Sequence, residues 1–255
     1  MIITVFARGD RIDRSMLATN LAAITAASHR KVAVIDVTAP QFSLQWGEMR
    51  KEHNVRPKVP VFGPLGLRAD LEDPHSFLRT RYRDIIIDAD GVDKLNSDSA
   101  LVASQLLLLP LWFQKMEANA YEELIRHLAE VRLFNPTLHI LLVNVRSISA
   151  SGGAEEDAAR AIAFAKRIPG AVLAQTVLHE RWNPHRAFGA GLTIFEDEPV
   201  SDSAVAELAS LPHEIGQLLQ TPAPPRGGAE LSEAIRMHIR GGSAVATHPA
   251  TSAER

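Results

Sequence analysis

The 255-residue chain contains no cysteine, which excludes disulfide staples, thiol nucleophiles and Cys-type zinc sites. Aromatic residues make up only 5% of it, so a core must be built mainly from aliphatic side chains. A basic excess is also missing: 27 Lys and Arg stand against 30 Asp and Glu, for a formal net charge of −3. Strong nonspecific binding to nucleic acid would then need a local patch rather than the whole surface. The longest apolar run, LVASQLLLLPLWF (Leu101 to Phe113), is interrupted by Ser104, Gln105 and Pro110. It falls short of the roughly 20 residues that a membrane-spanning helix requires. The sequence opens on strand-like residues without a signal-peptide layout, so a soluble cytoplasmic protein with no membrane attachment is expected.

What is present is a regular alternation. IITVFA (Ile2 to Ala7), KVAVID (Lys31 to Asp36), DIIIDAD (Asp84 to Asp90), LHILLVNV (Leu138 to Val145) and AVLAQTVL (Ala171 to Leu178) are short apolar runs, the pattern of strands buried on both faces. Between them lie helical patterns: SMLATNLAAITAASH, ANAYEELIRHLAEVRLF, EEDAARAIAFAKRI and VSDSAVAELASLPHEIGQLL. LVASQLLLLP reads as the end of a helix running into a further strand. From Val37 to Pro74 the pattern weakens, because five prolines (Pro40, Pro57, Pro60, Pro64 and Pro74) break any long element. Strands alternating with helices predict right-handed crossovers and an α/β fold with a mostly parallel, helix-flanked sheet. In such sheets ligands bind at the carboxyl ends of the strands. That edge gathers the FARGDRIDRS loop (Phe6 to Ser15), Asp36 and Asp88. Residues 1–219 are predicted to form this domain; residues 220–255 comprise a Pro/Gly linker, a short amphipathic segment (Leu231, Ile235 and Ile239) and a tail of disordered composition.

The order strand, loop, SMLATNLAA helix, KVAVID strand, PQFS, then YRDIIIDADG resembles the MinD/ParA family of deviant P-loop ATPases over approximately Met1 to Leu219. The late stretch TVLHERWNPHRAFGAGLTIFE resembles the family's final strand and the nucleotide-edge loop after it. The resemblance implies a P-loop NTPase sheet of MinD/ParA type, ATP and Mg²⁺ as cofactors if the loop retains binding, and work as a dimer. Aligned backwards from Leu17-Ala18, the family's signature lysine falls on Gly9, its paired glycines on Asp10 and Arg11, and its third glycine on Asp13. Its phosphate-gripping lysine falls on Arg14, its Mg²⁺-binding hydroxyl on Ser15, and the next threonine on Met16. The P-loop is thus degenerate. Glycines in such a loop reach φ > 0 and let N–H groups close around phosphate oxygens, whereas a residue with a Cβ gives up roughly 1 kcal/mol or more there. Asp10 and Asp13 would also set negative charge beside a triphosphate, costing about 4 kcal/mol for a unit pair at close range in an intermediate dielectric.

The family's D-x-D-P-Q-x-S becomes Asp36-Val37-Thr38-Ala39-Pro40-Gln41-Phe42-Ser43, with one residue added and the second aspartate lost. The resemblance assigns switch-like roles to Asp36, Pro40, Gln41 and Asp90, Mg²⁺ orientation to Asp88, and adenine recognition to Asn144. Arg14 and Ser15 would serve nucleotide and metal. An aspartate at a strand end is also a common turn former, and Asn144 is also readable as structural. His179, Arg181, His185 and Arg186 cluster around Trp182; they lack the carboxylates a metal site would need in register, and Arg181 and Arg186 are the expected DNA contacts. The expected function is a ParA-like partitioning or positioning protein with weak or absent ATPase activity. It would act through protein partners, a homodimer or a heterodimer with a ParA-like paralogue, and nonspecific DNA. The alternative is a working ATPase of the same fold using Arg14 and Ser15.

Overall fold

Seven strands, each a short apolar run, assemble into one sheet in the order β3-β2-β4-β1-β5-β6-β7, with every neighbouring pair parallel. They are β1 (Ile2–Phe6), β2 (Val32–Asp36), β3 (Val61–Phe62), β4 (Asp84–Ala89), β5 (Leu106–Leu111), β6 (His139–Ser147) and β7 (Ala171–Glu180). The computed structural model describes residues 1–8, 12–64, 71, 73, 76–113, 118–147, 153–180, 184–198 and 202–222. Every residue of β1, β2, β4 and β5 is buried, as continuous apolar strands covered on both faces require.

Two helical layers provide that cover. On one face α1 (Ile12–Ala27), α2 (Phe42–Glu52), α7 (Pro184–Gly189) and α8 (Asp202–Gln220) pack on Ile3, Val5, Val34, Leu108 and Val143. On the other, α3 (Phe77–Arg81), α4 (Lys94–Ala103), α5 (Ala118–Phe134) and α6 (Ala154–Ala165) pack on Ile2, Phe6, Ile87, Leu107 and Leu142. The predicted mostly parallel, helix-flanked sheet is therefore present. The proline-rich region holds more order than expected: it contains α2 and the edge strand β3. Helix α8 ends at Gln220, one residue past the expected domain boundary, and residues 223–255 lie outside the described residues.

Both sheet edges are limited. Strand β3 has only two residues. On β7, a bulge opposite Leu142 and Asn144 turns two successive amides outward, and Glu214 of α8 accepts from Gln175 N at 2.8 Å and Thr176 N at 2.9 Å. Glu207 accepts from His179 N at 2.9 Å. Edge amides that would otherwise invite another strand are satisfied by helix carboxylates.

A buried clamp ties α2 to the turn after α7. Arg50 is 2% exposed and donates to Pro57 O and Gly191 O, both at 2.9 Å, and bidentately to Glu196 at 2.8 Å. Trp46 Nε1 donates to Leu192 O at 2.9 Å, and the Arg50 guanidinium lies 4.9 Å from the Trp46 ring centre. Gly191 sits at φ 70°, and a Cβ there would meet Arg50 N at 2.2 Å. The Gly191→Ala variant should lose roughly 2–4 kcal/mol through overpacking and left-handed strain combined. Thermal melting checks this; a Tm within a degree of wild type would contradict the clamp.

Candidate functional site: the strand-end edge of the sheet

The carboxyl ends of β1, β2 and β4 meet the first turns of α1 and α2, and four acidic or basic side chains are buried there. Arg14, on the second residue pair of α1, is 0% exposed, as is Asp88 near the end of β4. Arg14 Nε donates to Asp88 Oδ1 at 2.6 Å, and its Nη1 donates to Ala7 O at 2.9 Å. Ser43 Oγ donates to the other Asp88 oxygen at 2.7 Å. Both oxygens of the carboxylate thus have protein partners, and the expected phosphate-binding and Mg²⁺-orienting positions bond to each other.

Asp36 is equally enclosed. Its Oδ1 accepts from Thr38 N at 3.0 Å and Thr38 Oγ1 at 2.7 Å, and its Oδ2 from Leu44 N at 2.9 Å. These bonds fold residues 37–44 back onto the strand end, and Thr38 Oγ1 accepts from Gln41 N at 3.1 Å in turn. Gln41 precedes α2 at φ 53°, a left-handed conformation held without glycine. Pro40 O accepts from the Gln45 side chain at 2.8 Å. Asp90, 1% exposed, accepts from Ala39 N at 2.9 Å and Val92 N at 2.8 Å. The switch-like residues Asp36, Pro40, Gln41 and Asp90 therefore come together in one hydrogen-bonded unit. Ser43 and Thr38 complete it; the sequence reading had matched Ser43 only as part of a motif and passed over Thr38.

The buried polar atoms on this edge that lack a hydrogen-bond partner among the described residues include Ser15 Oγ and Asn144 Oδ1. Asn144 is 5% exposed on β6. Nearby, an open cleft is lined, among the described residues, by Asp13, Leu17, Pro110, Trp112, Val145, Leu178, His179 and Glu180. Among the described residues its lining is mostly apolar, with Asp13, His179 and Glu180 as the ionisable members. His179 is not free to join a basic patch, since its Nδ1 lies 2.9 Å from Glu207 Oε1. Gly9, Asp10, Arg11, Arg181 and Trp182, and the side chains of His185 and Arg186, lie outside the described residues. Among the described residues no group of three or more His, Asp or Glu is arranged to hold a metal ion.

Seven parallel strands in this order, with a loop-to-helix junction at the end of β1 facing an aspartate at the end of β4, decide the fold. The fold is that of the MinD/ParA ATPases. The MinC:MinD cell division complex of Aquifex aeolicus superposes with a TM-score of 0.59 at 13% identity, covering 89% of this chain and 100% of that one. The putative plasmid partition protein of Borrelia burgdorferi bound to AMPPNP gives 0.57 at 16%, covering 85% and 99%. The ATP complex of Cyanothece McdA gives 0.57 at 13%, covering 85% and 96%. By sequence, neither a protein-family model nor any curated protein matches the chain. No helix among the described residues is long and apolar enough to cross a membrane.

Within this MinD/ParA fold, the donor set does not fit Mg²⁺–ATP as it stands. Asp88 is already neutralised by a tethered guanidinium, and Asp36 and Asp90 have each oxygen occupied by protein N–H or O–H groups. Among the described residues here, the unpartnered Ser15 hydroxyl suits a metal ligand.

Removing Arg14 alone strands a buried charge, which typically costs about 3–5 kcal/mol. Arg14→Met should therefore destabilise strongly, while Arg14→Met/Asp88→Leu should recover most of the loss; denaturant titration of the four-member cycle measures it. The second prediction concerns Asp36. Burial, then the nearby Asp88 charge, push its pKa up to about 6 against the bonds from Thr38 and Leu44. Because the folded pKa exceeds the unfolded one, folding takes up a proton. The associated stability is full below about pH 4 and disappears as pH rises through about 6, on the order of 3 kcal/mol. Wild-type stability minus that of Asp36→Asn should fall across this window, and a flat difference would contradict the assignment.

Proposed function

We propose that this protein is a ParA-like partitioning or positioning factor whose nucleotide site is closed by its own side chains. It would act by binding protein partners, as a homodimer or with a ParA-like paralogue, rather than by cycling on ATP. One observation carries the reading: the buried Arg14–Asp88 pair, at 2.6 Å with both side chains 0% exposed. In the family this loop and this aspartate handle phosphate and Mg²⁺. Here arginine, a planar fork rather than a compact point charge, bonds the aspartate directly. The family role of the fold's relatives, plasmid partition in the Borrelia protein and cell division in MinD, supports the positioning assignment.

The buried, unpartnered Ser15 hydroxyl favours the competing reading of a working ATPase, because it stands where the family places its metal ligand. Titration calorimetry separates the two. We expect ATP–Mg²⁺ to bind no tighter than about millimolar, close to −4 kcal/mol, with turnover at background. A micromolar dissociation constant, or hydrolysis abolished by Ser15→Ala and Asp88→Ala, would overturn the closed-site reading.

A further inference from the structure

The opposite edge of the sheet, where the strands begin, is strongly basic. Lys31 immediately precedes β2, Arg83 precedes β4, Arg30 follows α1, and Arg79 and Arg81 lie on α3. All five are exposed. The sheet register draws them together: Val32 pairs with Asp84 and Ile2 with Ile85, so Lys31, Arg83 and the chain's first residue are neighbours. Arg83 N donates to Lys31 O at 2.8 Å, and the Met1 ammonium donates to Arg83 O at 2.5 Å. That ammonium has a lowered pKa, chiefly from burial, with Asp84 opposing and Arg30, Arg79 and Arg83 adding repulsion. The acid at the centre is Asp84, 1% exposed and held bidentately by Arg30 at 2.6 Å. Lys31, Arg79, Arg81 and Arg83 make no ion pair among the described residues. On a chain of net charge −3, such a concentration of cations selects an anionic partner.

An aromatic platform lies inside this field. Phe77, at the start of α3, is 53% exposed. The Arg81 guanidinium lies 5.2 Å from its ring centre, and Phe62 and Tyr82 meet its ring edge-on at 6.2 and 6.4 Å. The ring is therefore fixed in orientation while half of its surface faces solvent. Fixed exposed aromatics among arginines are how proteins hold unpaired bases, the ring stacking on the base and the cations tracking the backbone. An anionic membrane would need a broader apolar face than one ring, and an acidic peptide would have no use for the ring's stacking surface.

We propose that the N-terminal edge of the sheet binds single-stranded nucleic acid, with Lys31, Arg79, Arg81 and Arg83 on the phosphates and one base stacked on Phe77. This surface is distinct from the nucleotide edge and from Arg181 and Arg186, and it is independent of whether ATP is hydrolysed. Fluorescence anisotropy with a labelled oligo-dT strand of about 20 nucleotides tests it on the full chain. Affinity should fall steeply between about 50 and 200 mM salt. Arg79→Glu/Arg81→Glu/Arg83→Glu should weaken binding at least about tenfold and flatten that salt dependence. Phe77→Ala should weaken it roughly tenfold while leaving the salt slope unchanged, because it removes stacking and no charge. Circular dichroism of each variant confirms folding, and Phe77 is exposed enough for its loss to leave the core intact. The proposal is overturned if the triple variant binds within about twofold of wild type, or if Phe77→Ala leaves affinity unchanged. A duplex of equal length binding more tightly, or loss caused instead by Arg181→Glu/Arg186→Glu, would overturn it as well.

Discussion

The strand-end edge of the sheet depends on a single buried ion pair, Arg14 with Asp88. Desolvating two charges costs several kcal/mol each, and the arrangement offsets that with short, charge-assisted bonds: Asp88 receives Arg14 and Ser43, and Arg14 also reaches Ala7 O. The pair pins the first turn of α1 to the end of β4. Beside it, burial first and the Asp88 charge second raise the proton affinity of the Asp36 carboxylate. The folding of residues 37–44 onto Asp36 and Asp90 follows from this, since each aspartate oxygen finds a backbone or hydroxyl donor close by.

Six of the seven strands were legible in the sequence because each is an apolar run buried on both faces, a signal that depends on local composition alone. Helix α2 and strand β3 were not. Pro40, Pro57 and Pro60 flank them, and the turn into α2 uses Gln41 in a left-handed conformation that glycine usually marks. The residues at the candidate site were legible one by one from their order along the chain. Their mutual bonding was not, because Arg14 and Asp88 are 74 positions apart and side-chain direction is set by packing. The basic edge is hidden for a related reason: its cations are scattered over two separate stretches, and only the pairing of β2 with β4 makes them neighbours.

The two ends of the sheet thus carry opposite chemistry. At the ends of β2 and β4, Arg14, Asp36, Asp88 and Asp90 are buried and matched by protein partners; at the beginnings of the same strands, the exposed charge is largely of one sign. Parallel strands make such polarity easy to build, because each connection returns the chain to the same starting edge and residues preceding different strands accumulate there. The fold shared with the partition and cell division ATPases therefore fixes where surfaces lie without fixing what they hold.

The glutamates of α8 have a consequence for assembly. Over Gln175 to His179, the outward amides of β7 are already bonded to Glu207 and Glu214, and the far strand β3 is too short to template a partner. This stretch of the edge is thereby closed to edge-to-edge stitching. Among the described residues, assembly is directed to the broad faces and strand ends, where contacts are made by side chains and are as reversible as those side chains allow.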